Sequence, residues 1–315
     1  PSPAPAPTPG PSPSPAPQLV PSGGQGLRSA LAPLDPSALR LLPDAQTEAA
    51  ARASPRWLAF GLSSVHRKQA EYLGITLSHL FAALGDSPGG RNTTMVVHLA
   101  DFDEAWVERT RQWLGASFAE EVAAGQLHAV HAPSRLYPGR REASRLLKYG
   151  DAPDRQWWRA KQNLDYAFLM WYAAGLGEYY MQLEDDVQVV PSFLPKVSAF
   201  LQTAVSGKSW VMVSFSKLGF IGKFFDGDRV RSLAEFLFVF YDEAPCDWLV
   251  WIFIDVLSTA PVTAAIPDDL EREREQREAH KRNPNEKLPK SMRTDVPIAY
   301  QEGLGELLGR GPRAP

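Results

Sequence analysis

The residues best suited to chemistry are Glu184, Asp185 and Asp186, three consecutive carboxylates set between the apolar run Tyr179-Tyr180-Met181-Gln182-Leu183 and Val187, Val189 and Val190. Ionised neighbours in such a setting lose hydration and repel one another unless a cation or hydrogen bonds compensate. A hard divalent ion such as Mg²⁺ or Mn²⁺ binds through one or two carboxylates and completes its shell with water and substrate phosphate. A nucleotide-sugar transferase uses such an ion to neutralise the departing diphosphate. Acid triplets also occur in solvated turns, but the apolar strand in front of this one favours a site. Asp247 is a second candidate, because a turn containing Pro245 leads there into an apolar helix. An N-cap accounts for it equally well on local grounds.

The triplet is expected at the tip of a buried strand that follows a helix over residues 157–175. Lys161 and Asp165 stand four apart in that helix and could pair on the surface, contributing only ~0.3–0.5 kcal/mol. The alternative puts this polar face along a cleft beside the triplet. Upstream, residues 57–62 read as a buried strand, followed by the polar loop Ser63-Ser64-Val65-His66-Arg67 and a helix over 69–84. Such a loop lies at the carboxyl edge of a parallel sheet, where nucleotides bind. Ser63, Ser64 and Arg67 are therefore candidates to face a nucleotide, with an ordinary connecting loop as the alternative. A strand over 95–101 ends on Asp101, a helix is expected over 104–124, and residues 127–131 read as a third strand. His128 and His131 on that strand suit a structural role better than metal ligation. A helix over 192–201, a strand over 210–216, a glycine-punctuated loop over 217–223 and an apolar segment over 233–241 complete the pattern. Alternation of strands with helices predicts an α/β fold with a mostly parallel sheet.

With 315 residues, 44% of them hydrophobic, the chain can build a core for one large or two small domains. A net charge of −3 leaves no basic footprint for nucleic acid. Cys246 is the only cysteine, which excludes an intrachain disulfide and a cysteine zinc cluster. Ten of the 28 prolines fall within the first 21 residues, a composition that favours extended chain with little to bury. Residues 1–52 are accordingly expected to form a disordered Pro/Ala/Ser-rich stalk, and residues 53–311 the globular domain. The start at Pro1 leads to the expectation of a further piece upstream. The apolar stretch 248–254 is far short of the ~20 residues that span a bilayer and reads as core. The charge-dense run 268–287 reads as solvated, and Asn92-Thr93-Thr94 is a glycosylation sequon compatible with lumenal exposure.

Four blocks, all between residues 157 and 249, carry a family resemblance. They are Trp157-Trp158-Arg159-Ala160-Lys161-Gln162-Asn163-Leu164-Asp165-Tyr166; Tyr179-Tyr180-Met181-Gln182-Leu183-Glu184-Asp185-Asp186; Phe215-Ser216-Lys217-Leu218-Gly219-Phe220-Ile221-Gly222-Lys223; and Glu235-Phe236-Leu237-Phe238-Val239-Phe240-Tyr241 followed by Asp247-Trp248-Leu249. In this order they resemble the N-acetylglucosaminyltransferase IV family, with weaker similarity over 57–308. The resemblance implies a GT-A type fold, with a Rossmann-like, mixed and mostly parallel sheet flanked by helices. It implies a Golgi type II membrane protein, with its anchor upstream of Pro1. The implied reaction transfers N-acetylglucosamine from UDP-N-acetylglucosamine, with Mn²⁺ or another divalent cation, to the α1,3-mannose arm of N-glycans in β1,4 linkage. Asp186 would then hold the metal, with Glu184 and Asp185 at the ribose-diphosphate end of the donor. Asp247 would be the base, while Ser63 and Arg67, from their place in the loop, and Asp101, from its strand end, are expected to line the donor site.

The chain departs from the family in three places. A segment whose first histidine suits metal binding is replaced by Tyr300-Gln301-Glu302-Gly303-Leu304-Gly305-Glu306, where Glu302 is the candidate oxygen ligand. Ser214 stands where the family has glutamate, and the cysteines expected after the Asp-Trp helix are absent. Two other functions share the pattern: a non-catalytic relative that binds glycans or a sibling transferase, and a GT-A enzyme with another donor or acceptor.

Overall fold

Apolar runs bounded by turns build four central strands: β2 (Arg56–Ser64), β3 (Thr93–Leu99), β4 (Leu127–Val130) and β5 (Gly177–Glu184). They are covered on both faces and so read as near-continuous hydrophobic stretches. In the computed structural model, which describes residues 39–67, 71–140, 149–190, 192–206, 210–216, 219–258 and 308–310, these strands pair in parallel in the order β4-β3-β2-β5. Antiparallel β1 (Arg40–Leu42) closes the β4 edge. On the other side β8 (Lys223–Asp226) runs antiparallel to β5, and β7 (Met212–Ser214) antiparallel to β8. Five of the seven strands thus point one way, the mixed and mostly parallel sheet that was expected. A two-stranded ribbon pairs β6 (Val187–Val189) with β9 (Leu308–Arg310).

Helices cover both faces. On one, α5 (Pro153–Ala173), α7 (Gly227–Val239) and α8 (Cys246–Ser258) pack Leu164, Phe168, Leu233, Leu237, Leu249 and Phe253 in one core with Val96, Tyr180 and Phe225 of the sheet. On the other, α2 (Tyr72–Gly85), α3 (Glu104–Ser117) and α6 (Phe193–Thr203) bring Leu77, Leu80, Leu114 and Phe200 to Phe60, Val97, Met181 and Leu183. Alternate residues of each strand feed opposite cores, as a period of two requires. The helix starts carry their sequence signals. Pro153 opens α5 where no N–H is needed, and Asp103 caps α3 by accepting from the Ala105 and Trp106 amides at 3.1 Å each.

Several expected boundaries shift. The fold begins before residue 53: β1 pairs with β4, and α1 (Ala45–Ala53) starts from an Asp44 cap. Hydrophobic pattern alone missed this, because a three-residue strand and an alanine-rich helix carry little of it. The helix expected over 104–124 breaks at Phe118 into α3 and the short α4 (Ala119–Ala123). Ser63 and Ser64 complete β2 rather than starting a loop, and residues 227–239 are helical. β8 was not anticipated, since Phe224-Phe225 followed what read as a loop. The charge-dense run 268–287 lies outside the described residues.

The first connection leaves β2 for β3 on one side, whereas α5 returns the chain to β5 on the other. This switch opens a crevice at the carboxyl ends of β2 and β5, the usual ligand site of open α/β sheets. A close backbone approach supports it from below. Gly61 pairs with Gln182, and the Tyr180 ring crosses over it, so that a β-carbon at 61 would sit 2.0 Å from the Tyr180 hydroxyl oxygen. That hydroxyl donates to Gln182 Oε1 at 2.5 Å, and Gln182 Nε2 donates to the Gly61 carbonyl at 3.0 Å. Gly61→Ala is expected to lower the unfolding free energy by about 1–3 kcal/mol through overpacking, read as a lower urea midpoint with an unchanged slope.

Candidate active site

β2 and β5 end side by side, with Ser63 paired to Glu184 in register. Glu184 is the last residue of β5, and Asp185 and Asp186 turn the chain into β6. The three acids have different tasks. Asp185 is only 3% exposed, and its two oxygens accept from Ser64 Oγ and Arg67 Nη2, each at 2.6 Å. Its carbonyl accepts from Thr76 Oγ1 of α2 at 2.7 Å. Burial pushes the Asp185 carboxyl up, and the Ser64 bond and the Arg67 charge draw it back. Asp185 therefore serves the turn rather than the open crevice.

Three buried polar atoms at this edge have no hydrogen-bond partner: Ser63 Oγ, Arg67 Nη1 and Asp186 Oδ1. Buried polar groups are nearly always satisfied; these three are among eight such atoms in the described residues, and they belong to the ends of β2 and β5 and the segments just beyond them, where a ligand would satisfy them. The set is complementary. A guanidinium N–H and a hydroxyl suit phosphate oxygens, and a lone carboxylate oxygen suits a hard cation that takes its remaining ligands from phosphate and water. Among the described residues no group of three or more His, Cys, Asp or Glu side chains is placed to hold a metal alone. Glu302 lies outside the described residues.

Asp101 ties two loops of this edge together. Its Oδ2 accepts from the His66 amide and its Oδ1 from the Asp103 amide, both at 2.9 Å. His66 in turn stacks on Trp106, with ring centroids 5.9 Å apart. His128 bonds Tyr172 and His131 bonds the Leu99 carbonyl, so both histidines are engaged within the fold. Lys161 and Asp165 do not form an exposed pair. They are buried, with Lys161 Nζ 2.7 Å from Asp165 Oδ2 and donating to the Ala100 carbonyl at 2.7 Å, while Tyr137 Oη donates to Asp165 Oδ1 at 2.7 Å. Helical spacing places the two residues together but does not say which face is covered; the loop after β3 covers this one.

Asp247 occupies the second position of α8, and the helix is led in by Pro245, whose carbonyl accepts from the Trp248 and Leu249 amides. It is thus not the N-cap. α5 fixes the preceding turn. Asn163 Nδ2 donates to the carbonyls of Tyr241 and Ala244 at 2.7 and 2.8 Å, and Gln156 Nε2 to that of Asp242 at 3.1 Å.

Lys223 is the residue that sequence reasoning left without a role. The first residue of β8, it donates from Nζ to Ser214 Oγ at 2.9 Å and to the Ser216 carbonyl at 2.7 Å. Burial brings its ammonium down to about 8, against the opposing pull of Asp247 and then Glu184. The same side chain therefore feels the charge of both the expected base and the strand-end acid. A lysine directly after a glycine-punctuated loop was the available signal.

A mixed α/β sheet with partnerless oxygen and nitrogen groups at its switch point has the architecture in which open α/β sheets take up their ligands. The chain belongs to the family described as the MGAT4 conserved region, whose model matches residues 40–282. It is 41% identical over 203 residues to alpha-1,3-mannosyl-glycoprotein 4-beta-N-acetylglucosaminyltransferase C of Sus scrofa, covering 64% of this chain and 42% of that protein. An alpha-1,6-mannosyl-glycoprotein 4-beta-N-acetylglucosaminyltransferase of Gallus gallus is 39% identical over 198 residues, covering 63% and 42%. The alpha-1,3-mannosyl-glycoprotein enzyme B of Homo sapiens is 37% identical over 195, covering 61% and 34%. The chain thus spans less than half the length of these curated relatives. Among solved structures, mouse xyloside xylosyltransferase 1 aligns over 62% of this chain and 74% of its own, at 10% identity and a TM-score of 0.36.

Lys223 gives the site a measurable signature. Its folded value of about 8 lies below that of a lysine in water, so between the two the unfolded chain binds more protons and stability rises with pH. Lys223→Met is expected to be more stable than wild type at pH 7. That advantage should shrink towards pH 10, where the native lysine is already neutral, and paired thermal unfolding across this range checks it.

Proposed function

We propose that this domain is an inverting glycosyltransferase that moves N-acetylglucosamine from UDP-N-acetylglucosamine to a mannose of a glycoprotein N-glycan in β1,4 linkage. The α1,3 arm is the favoured acceptor. The observation that carries the reading is the set of partnerless buried atoms of Ser63, Arg67 and Asp186, at the switch point of a chain in this family. The names of the relatives support the acceptor class and the transferred sugar.

Arg67 Nη1 and Ser63 Oγ would bind the diphosphate, and Glu184 would meet the ribose-diphosphate end. Asp186 Oδ1 would ligate Mn²⁺ or a similar cation, with Glu302 as a further oxygen ligand. When bound, the cation would offset the charge that builds on the diphosphate. Asp247 would accept the proton of the acceptor hydroxyl as that oxygen forms its bond to the anomeric carbon. The bond from that carbon to the diphosphate oxygen breaks on the opposite face, and UDP leaves with the electron pair. A single displacement inverts the configuration, and a positioned base supplies on the order of 10²–10⁴ in rate. A Golgi lumenal setting, with an anchor upstream of Pro1, belongs to the same proposal and rests on the family resemblance. No helix among the described residues is long and apolar enough to cross a membrane.

Two substitutions separate the roles. Asp247→Asn is expected to lower kcat by about 10²–10⁴ while calorimetric binding of UDP-N-acetylglucosamine with Mn²⁺ persists. Asp186→Asn is expected to remove the Mn²⁺-dependent part of that binding, with UDP-glucose and UDP-galactose as donor controls. Full transfer by both variants would overturn the assignment, and absence of nucleotide-sugar binding in wild type would favour a non-catalytic relative.

A further inference from the structure

Beside Asp247 the surface carries two large aromatic side chains that the reaction described above does not use. Trp248 is the next residue of α8 and is 52% exposed, and Tyr149 is 59% exposed. Their rings meet edge to face, with centroids 5.3 Å apart and planes at 83°. Such pairs are favourable in themselves, but burial does not explain this one, since water reaches both partners.

Tyr149 is also held in a costly backbone conformation. Its φ of 62° lies in the left-handed region, an outlier for a bulky side chain that persists only where the surroundings enforce it. The surroundings here do so. The Tyr149 hydroxyl donates to the Glu243 carbonyl at 3.1 Å, within the turn that delivers Asp247. The Arg159 guanidinium lies 5.1 Å from the ring centroid and is itself anchored by Asp151 and Gln156. One buried cation therefore backs the ring, and a hydrogen bond fixes its tip to the base-bearing turn. The result is a rigid, strained and wet aromatic corner one residue from the proton acceptor.

We propose that Tyr149 and Trp248 form the platform on which a pyranose ring of the acceptor glycan stacks, presenting its hydroxyl to Asp247. This inference rests on the transferase reading for the identity of the acceptor. A pyranose matches the corner chemically. Its ring C–H face is apolar and packs on an aromatic surface, while its rim of hydroxyls stays hydrated and within reach of Asp247. The two rings are themselves uncharged, as suits a neutral sugar. Rigid aromatic side chains supply contact area at low entropic cost, and the pinned Tyr149 has already met its ordering cost during folding.

The test uses the whole chain with a mannose-terminated N-glycan oligosaccharide as the probe, followed by saturation-transfer NMR and, in parallel, calorimetry with UDP-N-acetylglucosamine and Mn²⁺. Trp248→Ala and Tyr149→Ala are each expected to weaken glycan binding by about two- to tenfold, with donor affinity unchanged. Trp248→Tyr, which keeps a stacking ring, is expected to retain most of the binding. Unchanged glycan binding in both alanine variants would overturn the proposal and assign the rings to a protein partner or to another part of the chain. Loss of donor and glycan binding together would overturn it in favour of a structural role, as would a wild type that does not bind the glycan. Glycan binding that depends on Trp248 without transfer from any donor would sink the transferase reading while leaving the platform standing.

Discussion

The buried carboxylate of Asp185, held by Ser64 and Arg67, is the interaction on which the crevice depends. A charge at 3% exposure is tolerable only when paired and hydrogen-bonded. Its partners come from the end of β2, from the loop beyond it and, through Thr76 and the Asp185 carbonyl, from α2. One residue thus fixes the direction of the turn after β5 relative to three other segments. With residue 185 fixed, its neighbours lie on either side of a rigid point, Glu184 at the strand tip and Asp186 with a partnerless oxygen. Removal of one partner would leave the other charge stranded, which costs several kcal/mol in a buried site. The arrangement therefore binds site geometry to the stability of the fold.

The opposite wall follows the same logic with helix residues. Gln156 and Asn163 on α5 spend their amide groups on the carbonyls of the 241–244 turn, and Arg159 backs Tyr149. Carbonyls in an irregular turn have no ladder to join, so side chains must satisfy them if the turn is to be ordered. This explains why so polar a face of α5 is buried, and why α8 enters at a defined point. Lys161, Asp165 and Tyr137 do the corresponding work under the loop after β3.

Much of this was legible from residue types. The buried strands announced themselves as continuous apolar runs, and the break at Glu184 marked the tip of one of them. Spacing identified Lys161 with Asp165 as a pair, and the Pro245 turn marked the start of α8. Three things were not legible, each because it depends on contacts distant in sequence. That Asp185 faces inward rests on Ser64 and Arg67, more than a hundred positions away. That Lys161 is covered depends on the carbonyl of Ala100. β8 exists because Phe224 and Phe225 find β5 and β7, a pairing that local pattern after a glycine loop does not disclose.

The charge balance of the crevice carries the argument one step further. Among the described residues discussed above, the acids at this edge are Glu184, Asp185, Asp186 and Asp247, and the cations are Arg67 and Lys223. Arg67 is committed to Asp185, and Lys223 donates to a serine and a carbonyl, with no carboxylate among these hydrogen-bond acceptors. Ionised together, four acids against two cations leave two negative charges in excess, within a setting of reduced dielectric where such charges act strongly. An anionic diphosphate entering there would be repelled. A divalent cation at Asp186 would offset those two charges, whereas a monovalent ion would not. Lys223 stands where it can steady Asp247 electrostatically, while Ser214 leaves its charge free to do so.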